Sequence, residues 1–404
     1  MRWQRPSTLL CVFLTLLYDR LAESVVFPLL PFLVAPLLAE PSRIGLVVGL
    51  LGGSYTFAQF LATPVIGALS DHYGRRSVLV ICIAGSALGI SLFGIAGGLP
   101  LMFLGRILDG ATGGTAATAQ AVIADVTPPD RRARAFGLIG IAFGLGFMLG
   151  PGLGGLLAGI NVRLPILVAL GFALLNLLLA ITGLKESLPP DQRQPLPTPA
   201  QLNPFRQLQR LLANPRVGGL ALGFCLFFLV FNGFTTVLVP YLILSFSWRE
   251  LDVGIAFCIV GVVAMLVQGG LIGPLTRRFG ERRLTLGGIA LVTSGCLLVP
   301  LATAGQAHLM IYSAVVLLAI GTGLVSPSLR AMISLRLDAG SQGSGLGSLQ
   351  ALQSLGSFIG PPLAGLIFTV FSPRTPFWWA IGALLAVGGL TTGALLRQRR
   401  QEQF

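Results

Sequence analysis

Apolar stretches of about twenty residues, the length that crosses a bilayer core as a helix, recur along the chain with short polar gaps between them. They run from about Leu9 to Leu33, Ile44 to Leu69, Val78 to Ile95, Met102 to Ala124, Ala135 to Ile160 and Pro165 to Leu184. After a longer polar gap come Val217 to Phe246, Val253 to Leu275, Leu284 to Thr303, Leu309 to Leu335, Gly345 to Phe371 and Phe377 to Leu396. The pattern predicts an all-α polytopic membrane protein with twelve transmembrane helices. The first stretch does not read as a cleaved signal peptide. Asp19, Arg20 and Glu23 interrupt it, and no small-residue cleavage pattern follows.

The long gap, about Lys185 to Pro215, carries Pro189, Pro190, Pro195, Pro197, Pro199, Pro204 and Pro215. Such a segment favours a stiff, extended connector. Within it, Asn203-Pro204 can cap and start a short helix. Phe205, Leu208, Leu211 and Leu212 would share one face, with Arg206 and Arg210 beside it, as suits a helix on the inner membrane surface. A disordered linker is the alternative. The expected domains are a six-helix bundle over 1–184, a cytoplasmic linker over 185–215 and a second six-helix bundle over 216–404. The halves resemble each other. Gly67-Ala-Leu-Ser-Asp-His-Tyr-Gly74 aligns with Gly273-Pro-Leu-Thr-Arg-Arg-Phe-Gly280, and Gly150-Pro151 with Gly360-Pro361, at offsets of 206 and 210 residues. Parallel six-helix repeats with a substrate site between them are a transporter architecture.

Composition agrees. The chain is 54% hydrophobic and 10% charged, with a mean hydropathy of +0.85, whereas soluble chains average about 25% charged. The net charge of +13 does not point to nucleic acid. With the N-terminus inside, 20 of the 27 basic residues fall in inner segments, four in outer loops and three within spans. Inner loops carry the excess of Lys and Arg in membrane proteins, so both ends are expected in the cytoplasm, in a bacterial inner membrane. Cys11, Cys82, Cys225, Cys258 and Cys296 sit in apolar stretches and read as small buried hydrophobes. His72 and His308 form no metal cluster, and no nucleophile–base–acid set or phosphate loop is present. Neither a cofactor nor enzymatic activity is expected.

Three motifs carry a resemblance. Gly67-x-Leu69-x-Asp71-x-x-Gly74-Arg75-Arg76 resembles the loop signature between spans two and three of the major facilitator superfamily. Gly144-x-x-x-x-x-Gly150-Pro151-x-x-Gly154-Gly155 is similar to the fifth-span antiporter signature of its drug/proton exporters. Leu104-Gly105-Arg106-Ile107-Leu108, followed by Gly110, resembles the fourth-span arginine motif. The stretch Phe103 to Gly159, and Asp19 followed by Pro28-Leu-Leu-Pro31, are most similar to tetracycline efflux proteins. In that family the third span carries an aspartate; here Ala87-Leu88-Gly89-Ile90 has none.

Each motif also has a physical reading. Gly67 lets the end of the second span approach a neighbour closely. Asp71 can face the positive N-terminal end of the eleventh span, near Ser341. The resemblance implies a latch there that holds the outward-facing state, with Arg75 and Arg76 as partners or inside-positive anchors. Gly146, Gly150 and Gly154 form one smooth face, and Pro151 removes a backbone donor and kinks the fifth span. The resemblance implies that this face packs between the halves and limits proton leak.

Asp19 and Glu23 share one face of the first span, and Arg106 and Asp109 lie i, i+3 on the fourth, at overlapping depths. A charge alone at mid-bilayer costs at least about 2.5 kcal/mol, so the four need partners or a wet cavity. Desolvation favours the neutral form of a carboxyl, which suits a proton carrier. Asp19 or Glu23 is the expected carrier, tuned by Arg106, with Asp109 as the alternative. A static Arg106–Asp109 bridge with Arg20 on Asp19 or Glu23 is the competing reading. The resemblance implies that spans one, four, seven and ten line the cavity, which makes Gln120, Phe231, Asn232, Phe234, Tyr241 and Ser326 candidate substrate contacts. Arg330 in the tenth span either recognises an anion or snorkels to the inner face. The expected function is proton-coupled export of lipophilic small molecules by alternating access, from a monomer in the lipid bilayer, with small-molecule substrate and protons as partners and no nucleic acid. A metabolite or organic-anion facilitator or symporter is the alternative, and a non-transporting sensor a further one.

Overall fold

The computed structural model describes residues 8–127, 132–195, 204–214, 217–336 and 342–401. The described secondary structure is helical throughout. Nine stretches among the described residues are long and apolar enough to cross a membrane. The first helix, Thr8–Val26, falls outside that count because of its three charges. The fourth span is broken into Leu99–Ala111 and Thr115–Val126. The long helix Glu250–Leu301 contains both the eighth and ninth expected spans, divided where Gly280 takes φ +75°. With these three adjustments the helices are consistent with twelve crossings.

Helix ends follow the local chemistry. The expected Leu9–Leu33 run stops being α-helical at Val26, because Pro28 and Pro31 each remove a backbone donor. The chain turns on through Phe27–Leu29 and Leu30–Val34. Gly113 and Gly114 interrupt the fourth span, and the Gly113 carbonyl, left without a helical partner, accepts from Gln59 Nε2 at 3.1 Å. A π turn at Val267–Leu271 lies within the eighth span. In the linker, Pro204–Ala213 is helical as expected, but Phe205 and Leu212 are exposed while Leu208 and Leu211 are buried. The expected cap Asn203 lies outside the described residues.

The contacts divide the chain into two compact units. The first holds residues 1–37, 54–202 and 249–258; the second holds 38–53, 203–248 and 259–404. In the first unit, Arg132–Ala158 packs on Thr8–Val26 through glycine. A Cβ at Gly146 would stand 2.6 Å from Arg20 Cβ, and one at Gly150 would stand 2.8 Å from Ser24 Cβ. Ser24 Oγ donates to the Gly146 carbonyl at 2.8 Å. Gly154 faces the Val25 carbonyl. In the second unit, Gln342–Val370 packs on Gly218–Phe246 by the same means. A Cβ at Gly356 would lie 2.6 Å from the Cys225 carbonyl oxygen, and one at Gly360 3.1 Å from the Gly233 nitrogen.

Candidate functional site

The first helix delivers Asp19, Arg20 and Glu23 to one cavity of the first unit, and Leu99–Ala111 delivers Arg106 and Asp109 to the same cavity. Arg20 bridges both first-helix acids: its Nη2 lies 2.6 Å from Asp19 Oδ2, and its Nη1 pairs with Glu23. Arg106 Nη1 pairs with Asp109 Oδ2 at 3.2 Å. Asp19, Arg20, Arg106 and Asp109 keep only 13–15% of their side-chain surface exposed, Glu23 28%. The carboxylate partner of Arg106 is thus Asp109, and that of Asp19 and Glu23 is Arg20.

Neutral groups complete the cluster. The Arg106 guanidinium lies 4.1 Å from the Tyr55 ring centroid, and that of Arg20 lies 4.7 Å from the Phe143 ring, the geometry of cation–π attraction. Ser86 lines the same cavity as Asp109. Gln59, which holds the broken end of the fourth span, also reaches the Tyr55 hydroxyl at 3.4 Å. None of Tyr55, Ser86 or Gln59 stood out in the sequence. The signal that points to Tyr55 and Gln59 is their i, i+4 spacing on the second span, a helical face opposite the charges.

Gly89 explains how the cavity manages without a third-span acid. A Cβ there would stand 2.9 Å from Asp109 Cβ and 2.7 Å from the Gly105 carbonyl. The bare third helix therefore leaves the space that the Asp109 side chain fills. The cavity measures about 50 Å³. That is room for a few waters and far below the roughly 300 Å³ a drug-sized ligand needs.

The glycine face of the fifth span meets the first helix, inside one unit, at Arg20, Ser24 and Val25. Of the antiporter motif, Gly155 and the Pro151 carbonyl meet Gly254, where an added Cβ would stand 2.8 Å from the Gly155 Cα and 3.1 Å from the Pro151 oxygen.

At the loop motif, Asp71 Oδ1 pairs with Arg75 Nη1 at 2.5 Å, and Arg75 Nε reaches Asp125 at 3.2 Å. The start of the eleventh span near Ser341 lies outside the described residues. The close approach expected at Gly67 is absent: among the described residues a Cβ there would meet nothing within 4 Å. Gly74 is required for a different reason, since its φ of +100° is a conformation that side-chain-bearing residues avoid. Glu186, which sequence reasoning missed, accepts from the backbone N–H groups of Arg75 and Arg76 at 2.8 and 3.2 Å. It thereby caps the third helix, Arg75–Gly94, from the far end of the unit's sequence. Arg76 Nη2 donates to the Ile181 carbonyl at 2.7 Å.

The substrate-contact candidates separate. Phe234 and Tyr241 are core residues, fully buried against the Phe377 ring, so neither leaves surface for a ligand. Phe231 is half-buried and stacks on Phe227, and Asn232 donates back to the Phe228 carbonyl at 2.8 Å. Ser326 is half-buried and Gln120 exposed. Arg330 hydrogen-bonds Gln350 and Gln353.

Comparison with known proteins bears on this arrangement. The family model described as Major Facilitator Superfamily matches residues 12–272 and 269–403. The class C tetracycline resistance protein of Escherichia coli is 34% identical over 383 residues, 94% of each chain. The class G tetracycline resistance protein of Vibrio anguillarum is 34% identical over 371 residues, 91% of this chain and 92% of that one. The crystal structure of the human organic anion transporter MFSD10 (TETRAN) superimposes with a TM-score of 0.73 at 25% identity, covering 96% of this chain and all of that one. The protein is a multi-pass membrane transporter of small molecules, not an enzyme, and it belongs to the major facilitator superfamily.

Proposed function

We propose that the protein exports lipophilic small molecules in exchange for protons, by alternating access between two six-helix bundles, 1–184 and 216–404, joined by the cytoplasmic linker 185–215. One observation carries the coupling: a single cavity holds three carboxylates, Asp19, Glu23 and Asp109, against two guanidiniums, Arg20 and Arg106. With all five ionised the cluster has one negative charge too many, and one proton makes it neutral. An uncompensated charge in a water-poor interior is costly, so the cluster gains from binding that proton. A cargo or conformational change that alters access to the cavity then decides when the proton enters and leaves. Arg20 ties this chemistry to motion, since the fifth-span glycine face packs directly on it. Gly67, Asp71, Gly74, Arg75 and Arg76 serve as the inner gate in this reading, and Gly146, Gly150, Pro151, Gly154 and Gly155 as the packing face beside the proton site. Inner-membrane insertion with both ends in the cytoplasm follows from the distribution of arginine. The names of the two bacterial relatives put tetracyclines first among substrates to test.

The test is reconstitution in liposomes with an imposed pH gradient and an internal pH dye, screened against tetracyclines and lipophilic dyes. Wild-type protein is expected to release protons on substrate addition. Asp19→Asn, Glu23→Gln and Asp109→Asn are then measured singly. Retention of full proton release by all three variants overturns the proposed coupling.

A further inference from the structure

Among the described residues, the second unit contains a cation with no acid paired to it. Arg330 lies near the inner end of Ala307–Ser334. The described carboxylates of its unit are Glu40, which pairs with Arg43, and Glu281, beside the turn at Gly280. Among the described residues none pairs with Arg330. Its partners are neutral: Nη2 donates to Gln350 Oε1 at 3.1 Å and to Gln353 Oε1. The ring of Phe224, fully buried, lies 5.4 Å from the guanidinium carbon. By contrast, Arg20 and Arg106 of the first unit both have carboxylate partners.

Two features show that Arg330 is held in place instead of reaching freely for the interface. Gln350 and Gln353 stand i, i+3 on Gln342–Val370, and that helix is locked to Gly218–Phe246 by the close approach at Gly356, one turn beyond Gln353. Phe224 comes from the same locked partner helix. Amide oxygens satisfy hydrogen bonds but carry no charge. They fix the guanidinium plane while leaving its positive charge, and its Nε and Nη1 donors, without a partner among the described residues. A pre-oriented guanidinium is the group best matched to a planar oxyanion. Next to it, Phe224, Phe228, Phe227 and Phe231 run in edge and stacked contacts with centroids 4.8, 5.6 and 6.1 Å apart, ending in the half-buried Phe231.

We propose that Arg330, with Gln350 and Gln353, is the receptor for one oxyanion group, a carboxylate or its sulfonate or phosphate equivalent, on the transported molecule. The inference rests on the transport reading above and adds to it the charge of the cargo: an amphiphile whose anionic end meets Arg330. A lipid headgroup offers the same chemistry, so the experiment separates the two sources.

Binding of 5-carboxyfluorescein to the purified full-length protein in detergent is followed by fluorescence anisotropy. Arg330→Gln is expected to weaken binding at least tenfold. Arg330→Lys, which keeps the charge and loses the planar fork, is expected to recover part of it. An R330Q affinity equal to wild type, or a wild type that does not bind the probe, overturns the receptor. If R330Q does not fold, R330K decides alone, with a weakening of at least threefold at unchanged Tm required. Uptake of the probe is then compared in vesicles of phosphatidylcholine alone and with phosphatidylglycerol. A defect in both membranes supports an oxyanion on the cargo. A defect confined to phosphatidylglycerol vesicles assigns the site to lipid and overturns the cargo assignment. Proton release by the wild type on adding 5-carboxyfluorescein reads the coupling separately. Its absence in wild type counts against proton exchange and leaves the anion-binding result standing.

Discussion

The two halves of the chain share a backbone plan and differ in what it displays. Gly74 and Gly280, 206 residues apart, are the two described glycines with positive φ, at +100° and +75°. Gly150 and Gly360, 210 residues apart, each let one helix close onto another, at Ser24 in the first unit and at Leu229 and Gly233 in the second. On this repeated frame the first unit carries five charges around a small cavity. The second carries a run of phenylalanines and one guanidinium held by amides. Small-residue packing needs only close backbones, so polar content is free to diverge between the copies. The comparison teaches that the glycines specify the frame and a few long side chains specify the work.

The sharpest way to break this division is to exchange neutralisations. Asp109→Asn removes one of the three carboxylates and makes the cluster neutral without a proton. Substrate-driven proton release, measured with an internal pH dye, is expected to fall on the order of 100-fold, the scale of removing a positioned proton-transfer group. At 5-carboxyfluorescein concentrations that saturate each protein, Arg330→Gln in the other unit is expected to weaken binding but to leave proton release within about twofold, a difference of a few tenths of a kcal/mol. If the two variants lose coupling equally, the proton and cargo roles are not separated by unit.

A second contrast tests the shared frame itself. Gly150→Ala pushes a Cβ against the Ser24 side chain, whereas Gly360→Ala pushes one against the backbone of Leu229 and Gly233. Side chains can yield and backbone cannot, and overpacking costs about 1–3 kcal/mol. The thermal midpoint in detergent is expected to drop for both, and further for G360A. Adding Ser24→Ala is expected to restore part of the G150A loss, giving a favourable interaction energy in a double-mutant cycle. Equal drops with no rescue would show that the Ser24 side chain is not what Gly150 makes room for.

Much of this plan was legible in the sequence because apolar length, arginine placement and glycine spacing are one-dimensional signals. The repeat matches at Gly67–Gly74 and Gly150–Pro151 came directly from residue identity, and so did the grouping of Asp19, Glu23, Arg106 and Asp109 on two helix faces. What the sequence left open was partner choice. Arg20 sits next to Asp19 and three residues before Glu23, and only the three-dimensional packing shows that it takes both. Tyr55 and Gln59 read as ordinary second-span residues until the break at Gly113 brings them to the cluster. Phe234 and Tyr241 misled for the opposite reason: an aromatic on a helix looks the same whether it faces a ligand or, as here, Phe377. Gly67 carries a motif, but among the described residues a Cβ there meets nothing within 4 Å, so a motif glycine does not by itself locate a contact.

A third contrast lies at the two positive-φ glycines. Either Gly74→Ala or Gly280→Ala forces a side chain into a backbone region that costs about 1–3 kcal/mol. At Gly74 the new Cβ would also meet the Glu186 carboxylate carbon at 2.8 Å and Arg193 Nη2 at 3.0 Å, whereas at Gly280 it would meet nothing within 4 Å among the described residues. G74A is therefore expected to lower the thermal midpoint more than G280A. A larger drop for G280A would mean that the linker contacts at Gly74 yield without cost.

The smallest effect concerns how each copy neutralises the start of its third helix. In the second copy, Glu281 follows Gly280 directly and brings its negative charge to the helix start within the same turn. In the first copy the corresponding position is Arg75, a cation at the positive helix end, and the acid arrives from Glu186 across the fold. Glu186 also accepts from its own following N–H groups, Ser187 at 3.0 Å and Leu188 at 3.1 Å, so one carboxylate gathers two chain segments. Glu186→Ala leaves these donors to water. Because the site is exposed, the loss of stability is expected at the low end for a helix cap, about 0.5–1 kcal/mol. Tryptic cleavage at Arg193, whose neighbour Gln194 bonds the Asp71 carbonyl, is expected to speed up severalfold as the connector comes away. Glu186→Gln keeps an acceptor and is expected to lose less than half as much. Raising the salt concentration is expected to narrow the gap between wild type and E186Q, since salt screens the part of the difference that comes from charge. A cleavage rate at Arg193 unchanged by E186A would show that the connector is held without Glu186, by contacts such as the Gln194 N–H on the Asp71 carbonyl and His72 Nδ1 at 2.9 Å from the Gln194 carbonyl, and that the acid serves only the helix end.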